Sequence, residues 1–459
     1  MSAGLIVSAS GIRGIVADGL TPEVAARYGA SFATFLTDRC RERRGRYVIV
    51  GRDSRRSGPL LADAASAGLR GAGLAVHDLG VVATPTALLA AEEDDLALGA
   101  LLITASHNPV EWNGLKLAGP EGRFLDPESG REVQRLFETG PRYREWDALG
   151  DRQAFAGAAG RHVERILGLS LVDPVAVAER GFRVALDCVR GAGGPIMSEL
   201  LERLGCTVLG VDMEPDGRFP RNPEPTAEHL GGLCAAVREG AADLGMAVDP
   251  DVDRLSLVDE GGHAIGEDWT LALAVELVLA HRDGPVVTNL SSSRSIADAA
   301  ARANQPFHRA PVGEANVVAR MLEVSAVVGG EGNGGVILPE LHLTRDAPLA
   351  AALVLQLLAE RRTRIRELLA GWKHYRIAKR RMACPAGPMR RVYDALAEAA
   401  PGTRADRQDG LRLDWPEGPW VHVRPSGTEP ILRIVAEAAE EAAAERLAEW
   451  AMGVVAAER

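Results

Sequence analysis

Short apolar runs recur along this 459-residue chain, each giving way to a polar or glycine-rich loop and then to an Ala/Leu-rich stretch of helical period. YVIVGRDSRRSG, FRVALDCVRGAGG and GPVVTNLSSS, beginning at Tyr47, Phe182 and Gly284, are the clearest three. A β-rich run followed by a helical period reads as a βα unit, so each run predicts a mostly parallel sheet. Their wide spacing predicts three related α/β domains rather than one large sheet. The end of the chain breaks this pattern. In RLDWPEGPWVHVRPSGTEPILRIVAEA strands alternate around a loop, and the charged helix EEAAAERLAEWAMGVVAA follows, an α+β signature. The expected division is three α/β domains over residues 1–152, 153–255 and 256–370, and a C-terminal α+β domain over 371–459.

Composition narrows the function classes. With 46% hydrophobic and 25% charged residues the chain is globular material, long enough for several cores. Its net charge of −11, from 63 acidic and 52 basic residues, argues against a nucleic-acid partner, which demands an excess of Lys and Arg on one face. Any phosphate it handles is therefore small and locally bound. The cysteines (Cys40, Cys188, Cys206, Cys234, Cys384) are scattered and form no Cys-x-x-Cys pair, which predicts reduced thiols and a cytoplasmic setting. No apolar run reaches the roughly 18 residues of a membrane span, so no membrane partner is expected. Oligomeric state stays open.

Four constellations and one ambiguous serine carry the chemistry. In MAVDPDVDRLSLVD, Asp249, Asp251 and Asp253 stand at every second position. Three carboxylates in one loop repel by about 4 kcal/mol per pair at about 4 Å and an effective dielectric of about 20, so the cluster asks for a cation; hard oxygen ligands favour Mg²⁺ or Ca²⁺. An EF-hand loop is a poor match, because Arg254 stands where that loop needs glycine and the flanks look like strands. In VRPSGTEPILR, Arg424, Ser426, Gly427 and Thr428 offer a guanidinium, hydroxyls and backbone N–H groups to a phosphate monoester. VVGGEGNGGVILPE contains a formal G-x-G-x-x-G, but no helix follows it and Glu331 would repel a pyrophosphate; its glycines suit close approach to a hydroxyl-rich ligand instead. In SASGIRGI, Arg13 lies between glycines and can fork onto a phosphate. Finally, in LLITASHNPVEWNGLK, Ser106 is either a nucleophile or the cap of an Asn-Pro turn, and local sequence leaves both open.

Together with TASHNP, and with VGRDSR, VATPT, NGLK, GAGG, NPEP and PVGE in order along the chain, these motifs resemble the α-D-phosphohexomutase superfamily, from Gly11 to Arg433. The resemblance implies mixed, mostly parallel sheets in the first three domains, with all four arranged around a central active-site cleft. It implies an intramolecular phosphotransferase that interconverts hexose 6- and 1-phosphates through a phosphoserine at Ser106 and a hexose 1,6-bisphosphate. Mg²⁺ would be held by Asp249, Asp251, Asp253 and the Ser106 phosphate. Lys116, Arg13, His107 and Arg254 match the catalytic pocket, with Lys116 the first choice for proton transfer. Glu331, Asn333 and Gly313 match the sugar contacts, and Arg424, Ser426, Gly427, Thr428 and Arg433 the distal phosphate cradle. The sugar loop resembles archaeal-type members assigned to glucosamine phosphate, with mannose or glucose phosphate the alternative. Gly335 stands where many members have a histidine, so that histidine's role does not carry over, and Pro250 stands where many have glycine. A serine acyl hydrolase lacks its G-x-S-x-G elbow, and a silent sugar-phosphate or calcium binder would leave Ser106 unphosphorylated.

Overall fold

Each of the three βα units seeds a sheet with the same internal order. The computed structural model describes residues 4–8, 11–40, 42, 45–384, 388–426 and 431–458. The first sheet contains β1 (Leu5–Ser8), β2 (Gly11–Ile15), β3 (Tyr47–Arg52), β4 (Ala75–Val81), β5 (Ala97–Ile103), β6 (Trp112–Ala118) and β7 (Arg152–Ala154), ordered β1-β2-β6-β5-β3-β4-β7. The second holds β8 (Arg183–Asp187), β9 (Thr207–Val211), β10 (Leu244–Val248) and β11 (Leu255–Val258), ordered β11-β10-β8-β9. The third holds β12 (Val286–Asn289), β13 (Phe307–Ala310), β14 (Val328–Glu331) and β15 (Gly335–Ile337), ordered β13-β12-β14-β15.

The common unit is a central strand (β3, β8, β12) flanked by two parallel successors. A fourth strand (β6, β11, β15) then runs antiparallel to the second successor. The central strands and their second successors are buried nearly throughout, which is why they read as continuous apolar runs. The turn into the antiparallel strand recurs at the same place in each domain, and it carries TASHNP in the first, DPDVD in the second and GEGNG in the third.

The last domain is wholly antiparallel. Its strands β16 (Arg376–Ala383), β17 (Arg404–Asp406), β18 (Leu411–Asp414), β19 (Trp420–Pro425) and β20 (Ile431–Ala438) are ordered β16-β20-β19-β18-β17, with helices Met389–Glu398 and Glu441–Ala457 packed on them. Its RPSGTEP loop again joins antiparallel neighbours, β19 and β20.

Two of the expected domain divisions fall inside strands. Residue 152 opens β7, an exposed three-residue strand that pairs with β4 and so stays with the first sheet. Residue 255 opens β11, which completes the second sheet. Sheet pairing puts these divisions after 154 and after 258. No described helix is long and apolar enough to cross a membrane.

Candidate active site

Ser106 occupies the turn between β5 and β6 with φ of 49°, in the left-handed region. Such backbone costs a non-glycine residue on the order of 1–3 kcal/mol and persists only where its surroundings hold it. Here Thr104 Oγ1 accepts the Ser106 N–H at 2.9 Å and donates to Asp53 Oδ2 at 2.7 Å. The wholly buried Arg55 pairs with Asp53 at 3.0 Å and donates to the carbonyls of Ser106, Asn108 and Pro109, each at 2.6 Å, and of Trp112 at 3.1 Å. The serine hydroxyl, in a residue only 4% exposed, donates to Asp249 Oδ2 at 2.9 Å, with His107 Nδ1 at 3.3 Å. The nucleophile reading of Ser106 and the acidic trio, 143 residues apart in sequence, thus meet in one hydrogen bond.

Within the acidic loop Asp249 has both oxygens committed, and Asp251 and Asp253 one each. Asp249 Oδ1 accepts the N–H groups of Asp253 and Arg254 at 3.1 and 3.2 Å, which turns Oδ2 toward Ser106. Asp251 Oδ2 accepts from Lys116 Nζ at 2.8 Å and Thr84 Oγ1 at 3.2 Å, and Asp253 Oδ2 accepts from Arg345 Nη2 at 2.6 Å. Asp251 Oδ1 and Asp253 Oδ1 remain buried with no hydrogen-bond partner. The trio offers three carboxylate oxygens within 4.8 Å of one another. Two orphaned anionic oxygens beside a third acid are a good fit to a hard divalent cation. Burial, then Asp253 and Asp251, push the Asp249 carboxyl well above the usual range. Burial acts the same way on Asp251, but Lys116 overcomes it and holds that acid below its ordinary value.

Cations ring this loop. Burial opposes charge on Lys116, yet Asp251 and Asp253 outweigh it and raise the pKa, so the ammonium is retained. Arg254 lies with Nη1 at 3.3 Å from Glu224 Oε1 and Nε at 3.6 Å from Asp253 Oδ1. Arg13 donates to Asn108 Oδ1 at 3.2 Å. Its pKa is lowered by burial and then by Arg254, with Arg433 and Arg345 adding to the effect, so guanidiniums from all four domains share one field. Burial, Arg254 and Arg13 also push His107 well below the ordinary imidazole value, leaving it neutral. Such convergence of cations is suited to an anion.

The GEGNG loop is built around Glu331. Its Oε1 accepts from Asn289 Nδ2 at 2.8 Å and from the Gly313 N–H at 2.9 Å, and its Oε2 accepts from Arg345 Nη1 at 3.0 Å. Asn333 Nδ2 lies 3.5 Å from the same oxygen, and its Oδ1 accepts the Gly335 N–H at 3.3 Å. Gly313, expected to add a backbone contact to the sugar, gives its N–H to Glu331. The reason is local: it caps helix Glu314–Val324 at φ 120°, where the first N–H groups lack partners within the helix.

In the last domain strand register sets Arg381, Arg433 and Arg424 opposite one another on β16, β20 and β19. Like charges abreast destabilise a sheet, and Asp409 Oδ2, 3.8 Å from Arg424 Nε, offsets part of this row. Ser426 N–H bonds to Ile431 O at 2.8 Å across the mouth of the following loop. Gly427 and Thr428 lie outside the described residues.

The sequence reading gave no role to Arg55 or Thr84, although VGRDSR and VATPT contain them, nor to Asn289, Arg345 and Arg381. Only strand register exposes Arg381, and the others act on partners far away in the chain.

Comparison with known proteins follows the same four parts. Residues 4–144, 160–262 and 266–375 match the alpha/beta/alpha domains I, II and III described for phosphoglucomutase/phosphomannomutase, and 381–452 match its C-terminal domain. The protein is a phosphohexomutase, an intramolecular phosphotransferase. More narrowly, it belongs to the phosphoglucomutase/phosphomannomutase family. It is 38% identical over 452 residues to a probable phosphoglucosamine mutase of Methanopyrus kandleri, covering 97% of this chain and 96% of that one. It is 37% identical to a phosphoglucomutase/phosphomannomutase of Thermococcus kodakarensis, with 95% of each covered. A solved structure of a phosphoglucomutase/phosphomannomutase family protein from Burkholderia thailandensis superposes with a TM-score of 0.85 at 26% identity, covering 99% and 98% of the two chains.

Proposed function

We propose that this enzyme interconverts the 6-phosphate and 1-phosphate of glucosamine through a phosphoserine at Ser106 and a hexose 1,6-bisphosphate. The observation that carries the reading is the 2.9 Å contact between the Ser106 hydroxyl and Asp249, beside two carboxylate oxygens that lack partners. A free sugar hydroxyl attacks the phosphorus of phosphoserine, the bond from phosphorus to the serine oxygen breaks, and the bisphosphate forms. After the bisphosphate turns about, Ser106 attacks the other phosphate and is rephosphorylated. In each half-reaction one oxygen loses a proton and another gains it, and Lys116, held on Asp251 at 2.8 Å, is the group assigned to carry it. Arg13, His107 and Arg254 line the anion's position. Glu331 and Asn333 hold sugar hydroxyls in either orientation, with Gly313 keeping Glu331 in place. Arg424, Ser426, Gly427, Thr428, Arg433 and Arg381 take the phosphate that is not reacting.

Asp249, Asp251, Asp253 and a phosphoserine oxygen would hold Mg²⁺, which when bound offsets charge on the phosphoryl group during transfer. Relatives named probable phosphoglucosamine mutase, from Methanopyrus kandleri and Methanosarcina barkeri, support the choice of sugar. The name of the Thermococcus relative supports glucose or mannose phosphate as the second reading. Five free cysteines accord with a cytoplasmic setting.

The test joins intact-mass spectrometry to a substrate panel. Incubation with a hexose 1,6-bisphosphate adds one phosphoryl group to the wild type and none to Ser106→Ala. The phosphorylated enzyme then turns over glucosamine 6-phosphate faster than glucose or mannose 6-phosphate. Phosphate uptake by Ser106→Ala defeats the mechanism; equal rates on the three sugars defeat the substrate choice alone.

A further inference from the structure

Arg345 stands at the junction of the metal loop and the sugar loop, and each edge of its guanidinium meets a carboxylate from a different segment. Nη2 donates to Asp253 Oδ2 at 2.6 Å, Nη1 to Glu331 Oε2 at 3.0 Å, and Nε to Glu314 Oε2 at 2.9 Å. Glu314 is held in turn by the hydroxyl of Thr344 at 2.5 Å. All three acids and the arginine are buried. One guanidinium thus serves three carboxylates, and Arg254 Nε at 3.6 Å and Lys116 Nζ at 3.9 Å also face Asp253.

The room for this arrangement comes from Gly335. A Cβ built on that residue would lie 2.3 Å from Arg345 Cδ and 2.8 Å from its Cγ, so the arginine stem fills the space that a side chain at 335 would need. Asp346, next in sequence, caps helix Ala347–Arg361 through the Leu349 N–H at 2.9 Å and receives two histidines, His162 and His342, on Oδ2 at 2.7 and 2.8 Å. The backbone that presents Arg345 is thus anchored independently of either ligand.

We propose that Arg345 is a positioning residue that couples cation binding at the acidic trio to sugar-phosphate binding at Glu331. This inference rests on the proposed function, which assigns those two ligands. Because Arg345 takes Oδ2 of Asp253, Oδ1 is the oxygen left for the ion; because it takes Oε2 of Glu331, it also sets how that carboxylate meets a sugar. A ligand that fixes either acid fixes the shared guanidinium and so prepares the other. By linkage the effect is reciprocal: each ligand tightens the other by the same factor. Lysine in its place keeps the charge but has no planar fork for three partners.

The experiment measures Mn²⁺ affinity by counting free ion with electron paramagnetic resonance. It uses unphosphorylated full-length protein, which cannot turn over, with and without saturating glucosamine 6-phosphate. For the wild type the sugar phosphate is expected to tighten Mn²⁺ by about fivefold or more, the usual lower range for coupled sites. In Arg345→Lys that factor falls to near one while both ligands still bind. Gly335→Ala, which keeps the arginine but crowds its stem, gives the same loss, and it keeps the idea testable should Arg345→Lys fail to fold. A merely structural role changes stability and leaves the ratio alone. An undiminished factor in a folded variant overturns the coupling. Failure of the wild type to bind either ligand overturns the functional reading beneath it instead.

Discussion

At the scale of single residues, an enclosed acid lies under the GEGNG loop. Asp268 opens helix Asp268–His281, and its Oδ1 accepts the Ser293 N–H at 2.7 Å. The same oxygen lies where a Cβ on Gly332 would come within 2.1 Å, so the loop presses directly on this acid. Enclosure raises its pKa from 3.8 to about 8, against the opposing pull of the Ser293 N–H and Lys379. The folded protein therefore keeps a proton that the unfolded chain releases above about pH 4. Stability falls as pH rises through that window, by at most about 1.4 kcal/mol per unit, and the loss is complete above about pH 8. Asp268→Asn, whose amide oxygen still accepts from Ser293, is expected to flatten the dependence of Tm on pH between 4 and 8; an unchanged slope refutes the assignment. Asp268 was invisible in the sequence, whereas Ser106 and the aspartate trio were legible. The trio announces itself by spacing within five residues, while Arg345 finds Asp253 across 92 positions and Arg55 reaches Trp112 across 57. No local pattern marks a side chain whose partners are that remote.

At the scale of elements, the loops that carry Ser106, the acidic trio and Asn333 each lie between a buried strand and an antiparallel neighbour, and the serine turn shows how such a loop is held. Arg55 supplies bonds to four carbonyls of that turn and of the start of β6, and it pairs with Asp53, whose carboxyl burial still holds above its ordinary range. Removing one partner of a buried ion pair costs about 3–5 kcal/mol. Arg55→Met is therefore expected to lose about that much unfolding free energy in urea titration, and to take up phosphate at Ser106 more slowly even where it is fully folded. Wild-type stability together with a wild-type phosphorylation rate would contradict the clamp. The apolar parallel strands were readable as runs; their antiparallel neighbours were not. β15 has three residues and β7 has three exposed ones, and such strands gain their identity from pairing rather than from composition. For that reason the domain divisions expected at 152 and 255 fell a few residues early.

At the scale of the whole molecule, the cores divide the chain differently from its sheets. One hydrophobic cluster runs continuously from Val163 in the second domain to Leu369 in the third and takes in Ala83 and Leu89 from the first. The relay of Thr86, His162, Asp346 and His342 lies buried where these three domains meet. The last domain instead has its own core, from Ala378 to Val455. Hydrogen bonds join it to the third domain: Ser291 to His422 at 2.8 Å, Arg412 to Leu290 O at 2.5 Å, and the Val312 N–H to Asp409 at 3.0 Å. A body with a separate core and a polar seam opens as its own cooperative unit. Hydrogen exchange in rising urea is therefore expected to show β10 and β14 losing protection together, with one free energy, and β20 losing it at lower denaturant. If β14 follows β20 instead, the shared core does not bind the second and third domains into one unit. The division has a functional consequence: the row of Arg381, Arg433 and Arg424 belongs to the separable body, whereas Ser106, the acidic trio and Glu331 belong to the rest. A movement of that body would carry the arginine row as one piece and leave Ser106 and the acidic trio in place, as the proposed turning of a bisphosphate requires.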